Sequence, residues 1–220
     1  MQRNSTTAAD GKAGRQLAGD KVFAVAADLF YRKGIHAVGV EEIVKAAGVA
    51  KISLYRNFAS KDDLVIAYLD DCRTSFLREW DEMFDRYSDN PRAQLRAIMT
   101  YVAERTAEEG YRGCPFINFS AEFPDRAHPG RGIAREIMQA LRERFLRLAE
   151  ALRVPEPKRL ADGLLLLFEG AYGLSQTLGG GAGSAVHQIV WASEMLVEGQ
   201  FAAANVKGKG SNRTAPARRR

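Results

Sequence analysis

Apolar residues recur at every third or fourth position along most of the chain, a spacing that gathers them on one face of an α-helix. Glycine, proline and short polar clusters interrupt this pattern, and no stretch shows the alternation typical of a strand. The pattern predicts an all-α protein with nine helices. The predicted helices cover residues 17–33, 41–47, a short segment from 51, 61 to a break at 88, 91–109, 115–123, 133–152, 158–178 and 184–204.

A helix, a sharp turn and a second helix are predicted between residues 40 and 58. Apolar positions of the first helix are spaced at i, i+3, i+4 and i+7, and Gly48 directly after it can adopt the left-handed conformation that ends a helix. Leu54 and Phe58 are apolar positions of the second helix, and Ser60 then caps a third. The other side chains of the second helix form a polar face without a carboxylate, with donors that suit phosphate oxygens and base edges: Lys51, Ser53, Tyr55, Arg56 and Asn57.

The string AAGVAKISLYRNFASKDDL, with Leu29-Phe30 and Gly34 before it, resembles the N-terminal helix-turn-helix of the TetR (tetracycline-repressor-like) family of bacterial transcription regulators. This resemblance covers residues 17–64, and the rest of the chain resembles the family in helix layout and length alone. Two departures remove hydroxyl groups, because Val38-Gly39 and Ala50 stand where the family often has threonine or serine. The recognition helix must therefore be capped by backbone or water.

The resemblance implies a TetR-like fold, with a three-helix DNA-binding domain at residues 16–63 and a helical ligand-binding and dimerisation domain at residues 64–204. Residues 1–15 and 205–220 are expected to be disordered basic segments. A homodimer would bind a palindromic operator in double-stranded DNA, most simply as a repressor, and a small-molecule effector would release it. Carried over position by position, the implied DNA contacts are Lys51, Ser53 and Arg56 near bases, with Tyr55, Asn57 and Lys61 on phosphates, and Ile52 is a further implied DNA-binding residue.

Aromatic residues are more abundant in the second predicted domain than a slim helical bundle needs, which favours an apolar cavity for a small ligand. The predicted cavity lies between Met99, Phe119 and Phe168. A buried carboxylate there, Glu122 or Glu169, would favour a cationic or hydroxylated ligand. If these residues only fill a core, the chain would be an architectural DNA binder without a ligand. The predicted ligand-binding residues are Phe76, Met99, Tyr101, Phe116, Asn118, Phe119, Glu122, Phe168 and Tyr172.

The two cysteines lie far apart in the sequence, which argues against a disulfide framework or a zinc cluster, and no metal or cofactor is expected. Cys72 falls on an apolar helical stripe and is predicted to be core. Cys114 precedes Pro115 at a helix start, where the helix dipole and free N–H groups lower the pKa of a thiol. An alternative function is therefore a thiol-based sensor of oxidants or electrophiles with the same fold, using Cys114.

The last two predicted helices carry more apolar side chains than one chain can bury by itself, and pairing with a second copy into a four-helix bundle would cover them. Four glycines in the link at residues 179–184 let the last helix fold back, and they do not complete a phosphate-binding motif. The expected dimer residues follow the apolar stripes: Leu164, Leu167, Ala171, Leu174, Val186, Ile189, Val190, Ser193 and Val197.

Charge and composition favour some classes of function for this chain and argue against others. The net charge is +5, and the last twenty residues hold six lysines and arginines and no acid, so most of the basic character lies in this tail. Residues 15–61 still carry eight basic and four acidic side chains, and this excess of positive charge modestly favours binding to nucleic acid. Three scattered histidines without a nucleophile motif argue against an enzyme. The longest apolar run, 164–168, is too short for a membrane span, and we expect a cytoplasmic bacterial protein.

Overall fold

The computed structural model describes the backbone of residues 6–181 and 183–211, and the side chains of residues 17–181 and 183–204. Within these residues the regular structure is helical throughout, which confirms the predicted all-α class. Nine α-helices follow one another, with a 3₁₀ turn, Ala185–Gln188, before the last. Their bounds are α1 Thr6–Lys33, α2 Val40–Ala47, α3 Lys51–Tyr55, α4 Lys61–Arg86, α5 Pro91–Ala107, α6 Pro115–Glu122, α7 Gly130–Ala151, α8 Pro157–Leu178 and α9 Ile189–Ser211.

Several helix ends are fixed by the local chemistry that the sequence predicts. Gly48 ends α2 in the left-handed conformation, with φ 64° and ψ 37°. The hydroxyl of Ser60 accepts the backbone N–H of Asp63 at 3.0 Å and caps α4. The side chain of Asn90 accepts the backbone N–H of Ala93, also at 3.0 Å, and caps α5. As expected from the missing hydroxyls, neither α2 nor α3 has a side-chain cap at its start.

Three helices differ in length from the prediction. α1 begins at Thr6 rather than at residue 17, and α9 continues to Ser211 rather than ending at 204, so both expected disordered segments are partly helical. Residues 1–5 and 212–220 lie outside the described part. α3 is shorter than expected, because it ends at Tyr55 and Phe58 follows it. Apolar spacing marks only the packed part of a helix, and a helix can continue beyond that part into solvent.

Contacts divide the chain into two compact units. The first comprises Met1–Leu77 with Cys114–Glu136, and the second comprises Arg78–Gly113 with Ile137–Arg220. This division differs from the predicted boundary at residues 63 and 64, because α6 belongs to the same unit as the helix-turn-helix. The side chain of Glu122 at the end of α6 is hydrogen-bonded to the turn between α1 and α2, which explains this grouping.

The first unit has a core shared by α1 to α4, α6 and the start of α7. Phe30 of α1 and Tyr68 of α4 are both buried and meet edge to face, with ring centroids 5.8 Å apart. The start of α7 lies close to α6, because a Cβ added at Gly130 would stand 2.5 Å from Cζ of Phe119. Glycine at this position is therefore required by packing.

The second unit is built around an aromatic cluster. The Trp80 ring lies 5.2 Å from that of Phe145 and 5.3 Å from that of Phe168, both edge to face, and the three side chains are fully buried. Helix α8 packs against α5 and α9. The glycine-rich link before α9 is ordered around its described residues: the Ser184 hydroxyl donates to the Gly179 carbonyl at 2.6 Å. None of the described helices is long and apolar enough to cross a membrane.

The two apolar side chains of α3 are expected to contribute differently to stability. Leu54 is fully buried, whereas Ile52 is 59% exposed. We expect Leu54→Ala to lower the free energy of unfolding by roughly 2–5 kcal/mol, because it leaves a cavity in the core. Ile52→Ala, the matched control in the same helix, should change it little. Chemical denaturation followed by circular dichroism compares the two, and equal losses would show that Leu54 does not anchor α3.

Candidate functional site

Helices α2 and α3 form a hairpin that presents one polar face. Ile43 and Val44 of α2 and Leu54 of α3 are buried, so α3 is held by its inner side. The outer side of α3 and the two residues after it carry six of the seven predicted DNA-binding residues, and the seventh, Lys61, begins α4. Five of these are exposed and Ser53 is half-buried; the exposed ones are Lys51, Ile52, Tyr55, Arg56 and Asn57.

Ion pairs with α2 organise the cations around this face. The Lys51 ammonium lies 2.5 Å from a carboxylate oxygen of Glu41, and this hydrogen bond raises the pKa of Lys51. Lys33 pairs in the same way with Glu42 at 2.6 Å. Arg56 is exposed and has no ion-pair partner in the described part of the chain. Its guanidinium is therefore the readiest donor for an external anion.

Two of the predicted phosphate contacts, Asn57 and Lys61, form hydrogen bonds within the first unit in the free protein. The amide of Asn57 donates to the carbonyl of Ser53 at 2.8 Å and lies against α1, where a Cβ at Gly19 would stand 2.7 Å from Oδ1 of Asn57. The ammonium of Lys61 donates to the carbonyl of Ile35 at 2.6 Å, and burial lowers its pKa. Both side chains therefore contact the first unit in the free protein, and their contacts to phosphates stay a prediction.

Glu122 ties α6 to the turn between α1 and α2. Its carboxylate accepts the backbone N–H of His36 at 2.7 Å, and the imidazole Nε2 of His36 lies 2.9 Å from the carbonyl of Glu122. The His36 ring stacks on Phe123 with centroids 4.4 Å apart. Gly34 has φ 90°, and a Cβ there would stand 3.1 Å from the same carboxylate. Glu122 was predicted to line a ligand cavity, but its carboxylate is occupied by this turn.

The remaining ligand candidates fall into both units. Phe76, Phe116, Asn118 and Phe119 belong to the first unit, and Met99, Tyr101, Phe168 and Tyr172 to the second. The three residues predicted to surround the cavity, Met99, Phe119 and Phe168, are fully buried. Tyr101 is half-buried, and its hydroxyl donates to a carboxylate oxygen of Glu79 at 2.5 Å.

Glu169 of α8 has the least satisfied carboxylate among the described residues. Both of its oxygens are buried, and neither has a hydrogen-bond partner in the described part of the chain. Burial raises the pKa of Glu169 to about 7. The sequence indicated this residue only as one of several polar candidates, since spacing alone does not reveal whether a carboxylate has a partner.

The cysteines offer little access to a thiol reagent. Cys114 precedes the first residue of α6, as predicted, but it is buried with 8% exposure. Burial raises the pKa of the half-buried Cys72 to about 12. Reactive cysteines are accessible thiolates, and these positions do not provide that environment. Among the described residues no three metal-ligating side chains lie together.

The predicted dimer residues lie mostly inside the chain's own core. Six of the nine are buried: Leu164, Ala171, Val186, Ile189, Ser193 and Val197. Leu167 and Val190 are half-buried, and Leu174 is exposed. The apolar stripes that we identified face α5 and each other. A different set of large apolar side chains is exposed on α8 and α9: Leu166, Leu174, Leu178, Trp191, Met195 and Leu196.

Comparisons with known proteins agree with this architecture. The family model "Bacterial regulatory proteins, tetR family" matches residues 22–68, which include α2 and α3. The transcriptional regulator AcuR of Cereibacter sphaeroides is 31% identical over 147 residues, which are 63% of this chain and 67% of AcuR. The transcriptional repressor KstR2 of Rhodococcus jostii is 34% identical over 96 residues, 41% of this chain and 42% of KstR2.

A solved structure shares most of the helical layout. The crystal structure of a TetR-family transcriptional regulator from Streptomyces coelicolor superposes with a TM-score of 0.74 at 27% identity, covering 84% of this chain and 95% of that one. The matched hairpin, the helical fold and the relatives lead to one conclusion. The chain belongs to the TetR family of bacterial transcriptional regulators, which bind DNA through an N-terminal helix-turn-helix.

Proposed function

We propose that this protein is a ligand-responsive repressor that binds a palindromic operator as a homodimer and leaves it when a small molecule binds. The observation that carries this proposal is the outer face of α3, where a buried Leu54 leaves cationic and hydrogen-bonding side chains free to meet DNA. Such a helix enters the major groove with its N-terminal residues towards the base edges. The apolar surface of α8 and α9 supports the dimer, and the unpartnered carboxylate of Glu169 supports a ligand.

Contacts to DNA divide between the exposed side chains. Lys51, Ser53 and Arg56 approach bases, Ile52 makes apolar contact, and Tyr55 reaches a phosphate. Lys51 must exchange Glu41 for DNA, because the two form an exposed ion pair in the free protein. Since exposed ion pairs contribute little, this exchange costs little.

Selection from a random double-stranded library should return an inverted repeat with half-sites about one helical turn, roughly 34 Å, apart. Arg56→Ala should weaken binding to that repeat by about 1–3 kcal/mol, or about 5- to 150-fold, and relax the base preference at one position. Lys158→Ala, which removes an exposed cation from the start of α8, is the charge-matched control and should change neither quantity. Fluorescence anisotropy with the selected and scrambled duplexes measures both, and equal losses for the two variants would refute the assignment of α3.

The proposed dimer face consists of the exposed apolar side chains of α8 and α9. Leu166, Leu178 and Trp191 are 75%, 61% and 60% exposed, and exposed apolar surface on this scale is typical of an interaction surface. A two-fold symmetric pair of such helices would form a four-helix bundle. In this arrangement the buried stripes stabilise each subunit and the outer stripes join the two subunits.

Leu174→Glu combined with Trp191→Glu should give a folded monomer, because both side chains are exposed and neither substitution buries a charge in the subunit core. Leu17→Glu introduces the same charge at a 69% exposed position of α1 and should leave a dimer. Sedimentation velocity resolves the two states. A double variant that remains dimeric would exclude this face.

We propose that the hydrogen bond between Glu122 and His36 transmits effector binding to the DNA-binding hairpin. It connects α6, which carries several ligand candidates, to the turn that precedes α2. An effector that moves α6 would loosen this tie and alter the orientation of the hairpin. Coupling of this kind typically amounts to about 1–3 kcal/mol, and an effector must prefer the altered state in order to shift the population.

Glu122→Gln should weaken operator binding by about fivefold or more, because the neutral amide accepts the His36 N–H less strongly than a carboxylate does. Glu109→Gln removes an exposed carboxylate from the link after α5 and serves as the control. Circular dichroism verifies that both variants are folded. Unchanged operator affinity in Glu122→Gln would mean that this tie does not hold the hairpin in its DNA-binding orientation.

A further inference from the structure

Glu169 lies in the second unit on the side of α8 that is only partly exposed. Its carboxylate oxygens are buried, and neither accepts a hydrogen bond from a described residue. Its neighbours three and four positions away along the helix are Leu165, Leu166, Tyr172 and Gly173, none of which carries a charge. A buried carboxylate without a partner destabilises a folded protein, so its presence requires a reason beyond packing.

Two aromatic rings lie one helical turn along α8 from Glu169 and supply complementary chemistry. Tyr172 stands one helical turn further along α8, where Cβ atoms are about 5–6 Å apart, and it is 4% exposed. The ring of Tyr111, from the link after α5, lies 6.0 Å from that of Tyr172. The backbone of this link also lies on α8, since a Cβ at Gly113 would stand 3.0 Å from the Gln176 side chain. Two aromatic rings therefore lie on the same stretch of α8 as the carboxylate.

A carboxylate beside aromatic rings binds cations by two mechanisms at once. The carboxylate supplies a charge-assisted hydrogen bond or an ion pair, and ring faces attract a cation through their quadrupoles. An anionic group would be repelled, and a purely apolar ligand would leave the carboxylate unpaired. We propose that Glu169, with the rings of Tyr172 and Tyr111, binds the ammonium or substituted ammonium group of the small-molecule effector. This inference rests on the proposed function, because it names the chemical class of ligand that the regulator senses.

The direct test uses three probes of similar size and different charge on the full-length protein: 2-phenylethylammonium, neutral 2-phenylethanol and anionic phenylacetate. At about pH 8 a carboxyl group with a pKa near 7 is ionised. We expect the ammonium probe alone to bind and to raise the unfolding temperature. Its affinity should be at least about tenfold lower in Glu169→Gln, and should remain measurable in Glu169→Asp, which keeps the charge.

Calorimetric titration gives the affinities, and Glu109→Gln is the control for loss of one negative charge elsewhere. Equal binding of the ammonium probe to wild type and Glu169→Gln would overturn the proposal. Binding of 2-phenylethanol as tight as that of the ammonium would also overturn it, because the site would then recognise a hydrogen-bond donor rather than a charge. Tyr172→Leu, which removes the ring and keeps an apolar side chain, should weaken the ammonium probe several-fold and leave Glu169 in place.

A second measurement needs no ligand. The pKa of Glu169 is raised in the folded state, so protonation of this carboxylate stabilises the folded protein. This stabilisation is fully present at a pH below the ordinary pKa of a carboxyl group, and it is lost as the pH rises through about 7. Charged groups on α8 and the helices beside it pair with one another: Arg96 of α5 with Glu194 of α9, Arg92 of α5 with Glu198 of α9, and Arg142 of α7 with Asp162 of α8. Glu169→Gln should therefore unfold at a higher temperature than wild type at about pH 8 and lose this advantage near pH 5. A variant that is less stable than wild type at pH 8 would show that the carboxylate has a structural partner.

Operator binding separates this inference from the proposed function. Glu169→Gln without any probe should bind the selected inverted repeat as tightly as wild type does. If wild type binds no such repeat, the proposed regulator is wrong, while the probe titrations still decide whether Glu169 binds a cation. If the repeat is bound and the ammonium probe binds nowhere, the regulator stands and the cation site is refuted.

Discussion

Two charged side chains hold the turn between α1 and α2 from opposite sides, and the position of the DNA-binding hairpin depends on them. The Lys61 ammonium binds the carbonyl of Ile35, and the Glu122 carboxylate binds the N–H of His36. Backbone groups in a turn have no helical partner, and hydrogen bonds to charged groups are among the stronger ones available to them. Without both ions the short helices α2 and α3 would rely on a small core alone. Lys61 begins α4 and Glu122 ends α6, so the turn before the hairpin is connected to both of these helices.

Local chemistry could be predicted from the sequence, whereas long-range partners could not. Gly48, Ser60 and Asn90 act on backbone groups within three residues, so the residue type and its position in the pattern were sufficient. The contact between His36 and Glu122 spans 86 positions, and neither residue stands in a motif that indicates the other. Lys61 and Asn57 match their family positions, yet the side chains of both form hydrogen bonds to backbone carbonyls of the free protein. A motif specifies residue types and leaves open which way a flexible side chain points.

The apolar stripes of α8 and α9 show a related limit. Periodicity correctly indicated that both helices bury apolar faces, but it cannot distinguish the face that packs within a subunit from the one left outside. Leu164 and Leu166 differ by two positions, and one is fully buried while the other is 75% exposed. Two positions along a helix rotate a side chain by more than half a turn, so the assignment of faces required the neighbouring helices α5 and α9. Glu169 lies between these two faces of α8. Its lack of a hydrogen-bond partner among the described residues likewise became visible only in the structure.

In the five-residue helix α3, the residue that packs in the core and the residues that face outward towards DNA are different ones. Leu54 alone among its residues is buried, and Ile52 and Tyr55 are largely exposed. Substitutions at these outer positions can therefore change which base sequence is recognised while the rest of the molecule keeps its stability. For laboratory redesign, libraries limited to the outer side of α3 should contain mostly folded variants. During divergence, a duplicated gene with this architecture can acquire a new operator by a few surface changes on α3 while the buried side of the hairpin stays the same.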